Sequence, residues 1–365
     1  DAVYVGSARF NARLRARNFS PDELARMVAY AHDIGRKVYI TLNTIVKEQE
    51  LIELVDELEM LRRIAPDALI VQDFGVFRLA RRVAPELPVH ASTQMTIHNL
   101  DGALQAEKMG FERAVLAREL TLDEIKHIRK GASIELETFV HGAMCYCISG
   151  ECNFSSYAHA KSSNRGRCLQ PCRRLYDTGG KRLPLFSPLD LNTAPILFQL
   201  INAGISCFKI EGRLKPAENI AQIVSAYRLL LDAYPKLSKD VVQQAKDRLK
   251  LALGRKQSTG FYLSAKPTDS MLGEGTTQAG RFLGKVKTSR GTAFDLQSWD
   301  VVKVGDRLNV QRNIHRPPQS FTVKEMYVGD RPVRQSRPNE SVTLVAPFDV
   351  RPGSGVVKLI DADAS

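Results

Sequence analysis

A parallel (β/α) barrel followed by a small all-β domain is the fold expected of this α/β sequence, on three grounds. Short β-rich runs alternate with amphipathic helical stretches from Asp1 to about Tyr234. Strand, helix and strand recur at roughly 25–30 residues, the repeat of βαβ units that build parallel sheets. Beyond Tyr234 the texture changes to short alternating runs broken by Gly, Pro and Asp, as in antiparallel β structure.

The first strand is expected at Ala2–Val5. Ser20-Pro21-Asp22-Glu23 then starts a helix, with an N-cap serine, proline in the first turn and a capping-box glutamate. Further strands are expected at Lys37–Asn43, Ala68–Asp73, Pro88–Ser92 and Ala114–Glu119. Thr121-Leu-Asp-Glu124 repeats the capping box before another helix, and strands at Ile134–His141 and Phe208–Arg213 complete the set. These seven strands are one short of a closed eight-stranded barrel. An open doubly wound sheet is the alternative, but no glycine-rich phosphate loop follows any strand. The barrel is assigned to residues 1–235. Residues 236–280 read as a helical and Gly/Thr-rich connection, with a helix from Lys239 to about Leu253, and 281–365 as a small β-barrel or sandwich. In that last domain strands are expected at Phe282–Val286, Asp306–Val310, Ser320–Val323 and Ser341–Val345.

Four of the six cysteines, Cys145, Cys152, Cys168 and Cys172, are spaced C-x6-C-x15-C-x3-C within a loop at 142–182. Four thiolates in so short a run can enclose a metal or a cluster. Neither close pair is the C-x2-C knuckle of structural zinc, so the spacing favours an iron–sulfur cluster. Disulfides are the alternative. A chain of 365 residues, 44% of them hydrophobic, buries a core without such staples. No apolar stretch reaches the length of a membrane span and no signal peptide opens the chain, so a reducing cytoplasm is the expected setting, with no membrane partner. Cys147, between two proposed ligands, is placed to stand in for one; Cys207, in an apolar strand, reads as a core thiol.

The net charge of +12 points to a polyanionic partner. Lys161, Arg165, Arg167, Arg173, Arg174, Lys181 and Arg182 surround the cysteine loop, opposed there only by Asp177. Arg281, Lys285, Lys287, Arg290, Lys303, Arg307, Arg312 and Arg316 form a second concentration. A solvated basic surface and an RNA-binding surface both fit this distribution. In the second reading Lys161, Arg165, Arg167, Arg173 and Arg174 bring phosphates to the cysteine loop.

In a parallel barrel the chemistry sits where the strands end. The strand ends carry Asn43, Gln72 and Asp73, Ser92-Thr93-Gln94, Arg118-Glu119, His141, and Glu211 with Arg213. His141 precedes Cys145 by one helical turn's worth of chain, which sets the cysteine loop over the same face. The mixture of donors, acceptors and both charges suits a small anionic molecule. Helix caps and ion pairs would account for the same residues singly, and no nucleophile–base pair stands out.

The stretch Glu137-Thr-Phe-Val-His-Gly-Ala-Met-Cys145, with Ser149-Gly-Glu-Cys152, resembles the signature of the collagenase-like peptidase family of unassigned catalytic type. Asp1-Ala-Val-Tyr-Val, Val115-Leu-Ala-Arg-Glu-Leu120, Asn164-Arg-Gly-Arg-Cys-Leu-Gln-Pro-Cys-Arg173 and Phe208-Lys-Ile-Glu-Gly-Arg213 agree with it. The chain is most similar to the branch that makes 5-hydroxycytidine in 23S ribosomal RNA, through Ala68-Leu-Ile-Val-Gln-Asp73, His90-Ala-Ser-Thr-Gln94 and the Ser163-Asn-Arg-Gly run. The sister branch, which hydroxylates the wobble uridine of transfer RNA, is the main rival.

The resemblance implies a [4Fe–4S] cluster on Cys145, Cys152, Cys168 and Cys172, RNA as substrate, an electron donor not identified by the sequence, and prephenate as a co-substrate. Arg118 and Arg213 are then candidates for clamping that dicarboxylate through their planar forks, and His141 for proton transfer. Family members usually carry a strand and helix ahead of the segment that opens this chain, so the missing first barrel strand is expected there. The Tyr-Cys-Ile-Ser-Gly-Glu run between the first two cysteines departs from the family's usual residues, and the long C-terminal extension of some ribosomal-RNA hydroxylases is absent.

Three function classes follow: a redox RNA hydroxylase, a peptidase using Cys145 with His141, and a non-enzymatic RNA-binding protein with a structural metal. No Ser-His-Asp set, H-E-x-x-H helix or aspartic dyad supports the second, and a thiolate bound to iron is not available to attack a carbonyl.

Overall fold

The structure is a computed structural model and describes residues 1–14, 16, 18–213, 215–252, 255–267, 271, 280–311 and 319–360. The main elements run β1 (Ala2–Gly6), α1 (Pro21–Asp33), β2 (Lys37–Leu42), α2 (Leu51–Ile64), β3 (Ala68–Val71), α3 (Phe74–Val83), β4 (Val89–Ala91), α4 (Leu100–Met109), β5 (Arg113–Val115), α5 (Leu122–Gly131) and β6 (Glu135–Ala143). After the short helix α6 (Phe154–His159) come a hairpin, β7 (Tyr176–Thr178) with β8 (Lys181–Leu183), then β9 (Asp190–Asn192), α7 (Leu197–Asn202) and β10 (Cys207–Ile210). Helices α8 (Ala217–Asp232) and α9 (Lys239–Leu251) and the short β11 (Gln257–Ser258) lead to β12 (Arg281–Arg290), β13 (Ala293–Ser298), β14 (Arg307–Gln311), β15 (Gln319–Thr322), β16 (Met326–Val328), β17 (Arg331–Pro332), β18 (Glu340–Val345) and β19 (Gly355–Ile360).

These elements pack into two units, each assembled from separate stretches of chain. The first comprises Asp1–Pro171, Leu191–Leu214 and Ser258–Ser270, and the second Cys172–Asp190, Lys215–Gln257 and Met271–Ser365.

The first unit is the (β/α) barrel. β1 through β6 pair in parallel and in sequence order, and β10 pairs in parallel with the far edge of β6. The Tyr4 hydroxyl donates to the Ile210 carbonyl at 3.4 Å, which brings the first and last strands of the barrel together. The strands are buried on both faces, as in Val38–Leu42 and Ala68–Val71, so their sequences are continuous apolar runs. Helices cover them with one apolar stripe each: Leu24, Val28 and Ala31 from α1, and Leu54, Leu58 and Leu61 from α2. The helix starts are those expected. Ser20 Oγ accepts from Glu23 N and the Glu23 carboxylate accepts from Ser20 N, and Thr121 with Glu124 does the same for α5.

The seven expected strands are present. An additional strand, β9, joins the sheet beside β6, with Thr193 N donating to the Val140 carbonyl at 3.0 Å. It is only three residues long, so it escaped a reading based on longer apolar runs.

The second unit holds the all-β structure, an eight-stranded sheet in the order β15-β14-β19-β12-β13-β18-β16-β17. Leu283, Val286, Phe294, Leu296, Leu308, Val310 and Phe321 are among the residues that fill its core. A fully buried ion pair, Lys358 Nζ to Asp306 Oδ2 at 2.8 Å, crosses that core, and Lys358 also donates to the Val301 carbonyl. The hairpin β7–β8 and helices α8 and α9 belong to the same unit. No helix among the described residues is long and apolar enough to cross a membrane.

Candidate functional site

The cysteine loop is bound to the C-terminal strand ends of the barrel through Ser149, whose backbone N–H and hydroxyl both donate to Glu119. Cys145 stands just beyond β6, and the chain then makes a tight turn at Ile148–Gly150 in which Ser149 has φ 46° and Gly150 φ 82°. A left-handed serine needs compensation, and Glu119 supplies it. The Glu119 carboxylate, past the end of β5, accepts from Ser149 N at 2.9 Å and from Ser149 Oγ at 3.3 Å. Gly150 faces Gln94: a methyl group built on it would stand 3.8 Å from Gln94 Cγ. Gln94 in turn accepts from Asn43 Nδ2 at 3.5 Å, and Asn43 Oδ1 accepts from Ala12 N at 3.0 Å. Glu119 therefore seats the loop, with Gln94 beside Gly150 and Asn43 behind Gln94. Asp73 is the N-cap of α3, accepting from Gly75 N and Val76 N.

Beyond the turn, short contacts close the loop on itself. Asn164 Oδ1 accepts from Cys152 N at 3.2 Å, and Ser163 Oγ donates to the Cys152 carbonyl. Cys152 Sγ accepts from Phe154 N at 3.4 Å, and Cys168 Sγ accepts from Gln170 N at 3.3 Å and from Ser155 Oγ at 3.9 Å. Ser155, on α6, also accepts from Leu169 N, so one short helix holds both cysteine segments. Cys172 belongs to the second unit. All six cysteines are half-buried thiols outside disulfides. No three His, Cys, Asp or Glu side chains among the described residues converge as a metal-holding group. Two of the four thiols, Cys152 and Cys168, carry the donor environment that a ligating thiolate takes. N–H and O–H groups directed at Cys152 and Cys168 are the contacts that stabilise a ligating sulfur.

The arginines named from the sequence take different roles. Arg118 is buried at 8% exposure, its guanidinium carbon lies 4.4 Å from the centroid of the Phe139 ring, and its Nε has no hydrogen-bond partner among the described residues. Gln72 Oε1, also buried, lacks one as well. Arg213 Nη2 donates to Asn18 Oδ1 at 2.7 Å and to Asn11 Oδ1 at 3.2 Å. Glu211 lies 3.8 Å from Arg13 Nε. Arg118 and Arg213 both act electrostatically on the phenol of Tyr4, lowering a pKa that burial and then Glu211 push well above its ordinary value. His141 is buried in β6, in register with Ile210.

Among the basic residues, Arg165 is committed to an ion pair. Its Nη1 meets Glu50 Oε2 at 2.9 Å, its Nη2 pairs with Glu50 Oε1, and it donates to the Ile45 carbonyl at 2.9 Å. Gly166 next to it has φ 77° and lies so close to the Asn11 carbonyl that a Cβ would fall 2.4 Å away. The Arg165 hydrogen bond to Glu50 is the main reason that this carboxyl is lowered to about 2. In the second unit Arg173 donates to Ser187 Oγ at 2.9 Å and to the Pro188 carbonyl. Lys161, Arg167 and Arg174 are exposed, as are Lys285, Lys287 and Arg290 on β12. Arg312 and Arg316 lie outside the described residues.

One group of residues escaped the sequence reading. Lys209 Nζ meets Glu137 Oε1 at 2.6 Å, and Arg113 Nη1 lies 3.3 Å from Glu137 Oε2, both against a carboxylate 2% exposed. Burial works against the charge on Glu137, but Lys209 and Arg113 hold its pKa below the ordinary carboxylate value. Beside them His90 is lowered to about 4, by burial first and then by Arg113. Burial pushes the Cys207 thiol up to about 12, with Glu137 adding to the rise. Cys207 is thus an unreactive thiol beside this group. The signal was present in the two family segments beginning at Glu137 and Phe208, which lie on adjacent strands.

A family model described as Peptidase family U32 matches residues 1–272. The chain is 35% identical over 277 residues to tRNA hydroxylation protein P1 of Bacillus subtilis, covering 72% of this chain and 66% of the relative. It is 34% identical over 331 residues to a 23S rRNA 5-hydroxycytidine synthase of Escherichia coli, covering 85% of this chain and 49% of the relative. It is 33% identical over 384 residues to an uncharacterized protease of Methanocaldococcus jannaschii, covering 98% and 93%. The chain thus spans about half to two thirds of the length of the two RNA-hydroxylation relatives.

Proposed function

The chain belongs to peptidase family U32, and on that premise we propose that it hydroxylates an RNA base, forming 5-hydroxycytidine in 23S ribosomal RNA. The observation that carries the reading is the seat of the cysteine loop. Glu119 holds a thiol-bearing loop, with Gln94 beside it, at the strand ends of a barrel whose wall holds a buried guanidinium with no partner for its Nε among the described residues. Replacing a base C–H by C–OH is a two-electron oxidation that takes its oxygen atom and its oxidant from outside the chain, so it calls for redox chemistry more than for an acid–base triad.

In this reading Cys145, Cys152, Cys168 and Cys172 hold a [4Fe–4S] cluster, which when bound supplies one-electron chemistry. Arg118 binds a carboxylate of a small dicarboxylic co-substrate such as prephenate, stacked on Phe139 and directing its unpartnered N–H at the ligand. Arg213, held by Asn11 and Asn18, presents a second fork, and His141 moves a proton. The exposed Lys161, Arg167 and Arg174 meet RNA phosphates, while Arg165 and Arg173 brace the segments that carry them. The setting we assign is the cytoplasm, where RNA is at hand.

A second reading, hydroxylation of the wobble uridine of transfer RNA, is favoured by the match to the Bacillus subtilis relative. Mass spectrometry of nucleosides from a deletion strain, with and without this chain restored, separates the two. Loss and recovery of 5-hydroxycytidine in 23S RNA supports the first, and loss and recovery of a hydroxylated uridine in transfer RNA the second. Unchanged nucleosides in both RNAs overturn the proposal and return the peptidase and structural-metal readings.

A further inference from the structure

The one tryptophan of the chain is left in solvent. Trp299 follows β13 and is 62% exposed, and Phe282 on the adjacent β12 is 39% exposed. Their rings meet edge to face, with centroids 5.3 Å apart at 73°. The backbone fixes this arrangement. Trp299 N donates to the Leu283 carbonyl at 2.7 Å, and β12 has register irregularities against β19 at Phe282/Gly284 and against β13 at Val286/Thr288. Such bulges re-aim side chains on a sheet. Gly355 on β19 leaves room for the Phe282 ring, since a Cβ there would stand 3.3 Å from Cε2.

Along β12 the core residues Leu283 and Val286 alternate with an outer row of Phe282, Lys285 and Lys287, and Arg290 is exposed at the strand end. Lys287 is steered by Gln297, whose Oε1 accepts from its Nζ at 2.6 Å. The acid of β13, Asp295, is occupied by the hydroxyls of Thr288 and Thr343. Folding gains nothing from two large rings kept in water. Aromatic faces set among lysines are what unstacked bases and their phosphates require.

We propose that Trp299 and Phe282 form a stacking platform for a single-stranded RNA segment, with Lys285 and Lys287 taking the adjoining phosphates. This deepens the RNA reading above and rests on it: the second unit would hold an unpaired stretch of the same RNA. A protein ligand would be served by an apolar groove, whereas the cations flanking these rings select a polyanion.

Trp299 is also the reporter. The full chain is titrated with a single-stranded oligoribonucleotide, with the same sequence as a perfect duplex, and with inorganic polyphosphate. Tryptophan emission is expected to be quenched by the single strand only. Trp299→Ala and Phe282→Ala are each expected to weaken single-strand binding by about tenfold, with Trp299→Phe close to wild type. Changing Lys285 and Lys287 together to Gln is expected to weaken binding and flatten its salt dependence. Emission unmoved by the single strand, equal quenching by duplex or polyphosphate, or wild-type affinity in Trp299→Ala overturns the platform. If the wild-type chain restores RNA hydroxylation in a deletion strain while emission is unmoved, the platform alone falls. If emission is quenched while no RNA base is hydroxylated, the platform stands and the proposed reaction falls.

Discussion

Glu119 and Ser149 join the barrel to the cysteine loop: the carboxylate past β5 accepts both the backbone N–H and the hydroxyl of the serine, at 2.9 and 3.3 Å. Ser149 has φ 46°, a conformation that a residue with a Cβ adopts at a cost. The turn lies between Cys145 and Cys152, so one side chain of the barrel anchors the chain between those two thiols.

Removing that side chain should loosen the loop without unfolding the barrel. Glu119→Ala is expected to lower the iron bound by anaerobically prepared protein several-fold. Glu119→Gln, which keeps one acceptor oxygen, should fall between it and wild type. Iron analysis beside far-ultraviolet circular dichroism checks this; unchanged iron in Glu119→Ala would make the contact incidental to the cysteines.

The cysteines themselves separate by environment. Cys152 and Cys168 receive N–H donors from the backbone, while Cys207 lies beside the Glu137 carboxylate with its thiol pushed up to about 12. Anaerobic protein is expected to hold about one four-iron cluster, to lose it in Cys152→Ala and in Cys168→Ala, and to keep it in Cys207→Ala. Stoichiometric zinc in protein never exposed to oxygen would rule the cluster out.

The barrel was legible because its strands are apolar on both faces and its helices begin with capping boxes, as at Ser20–Glu23 and Thr121–Glu124. These are local signals. β9 was not legible, because three residues carry too little pattern. The Lys209–Glu137 pair was hidden for a different reason: it depends on the register of β10 against β6, across 72 residues of sequence. Removing Lys209 would leave the buried Glu137 carboxylate with Arg113 as its remaining cation, at 3.3 Å, and with part of its burial uncompensated. The same logic applies to Arg165, which reads as an RNA contact in sequence but meets Glu50, 115 residues away.

That pair gives the acid response a definite window. Glu50 is lowered from 4.5 to about 2 in the folded chain, chiefly by its hydrogen bond to Arg165. A depressed folded pKa contributes stability above the unfolded value, and the contribution is lost as the pH falls from about 4.5 toward 2. With both side chains partly exposed, its size is about 1 kcal/mol. Urea unfolding of wild type and Arg165→Gln should therefore differ by that amount at pH 6 and converge as the pH approaches 2. A gap unchanged at low pH would assign the effect of Arg165 to its bond with the Ile45 carbonyl.

Arg118 and Arg213 are distinguished by what already holds them. Arg213 has two asparagine partners, whereas Arg118 has a ring beneath it and an Nε without a partner. A buried unpartnered N–H costs about 1–3 kcal/mol, a cost that a bound carboxylate would remove. Lysine keeps the charge but loses the planar fork and its stacking on Phe139. Arg118→Lys is therefore expected to cut base hydroxylation in a complemented deletion strain by about tenfold or more, and to abolish any rise in melting temperature that prephenate gives the wild type. Arg213→Lys should lower the melting temperature of the unliganded chain as well, because it gives up the guanidinium contacts to Asn11 and Asn18. A ligand-induced rise that survives in Arg118→Lys would place the dicarboxylate elsewhere. Full hydroxylation by both variants would show that neither fork reads a carboxylate and that the two arginines serve the fold.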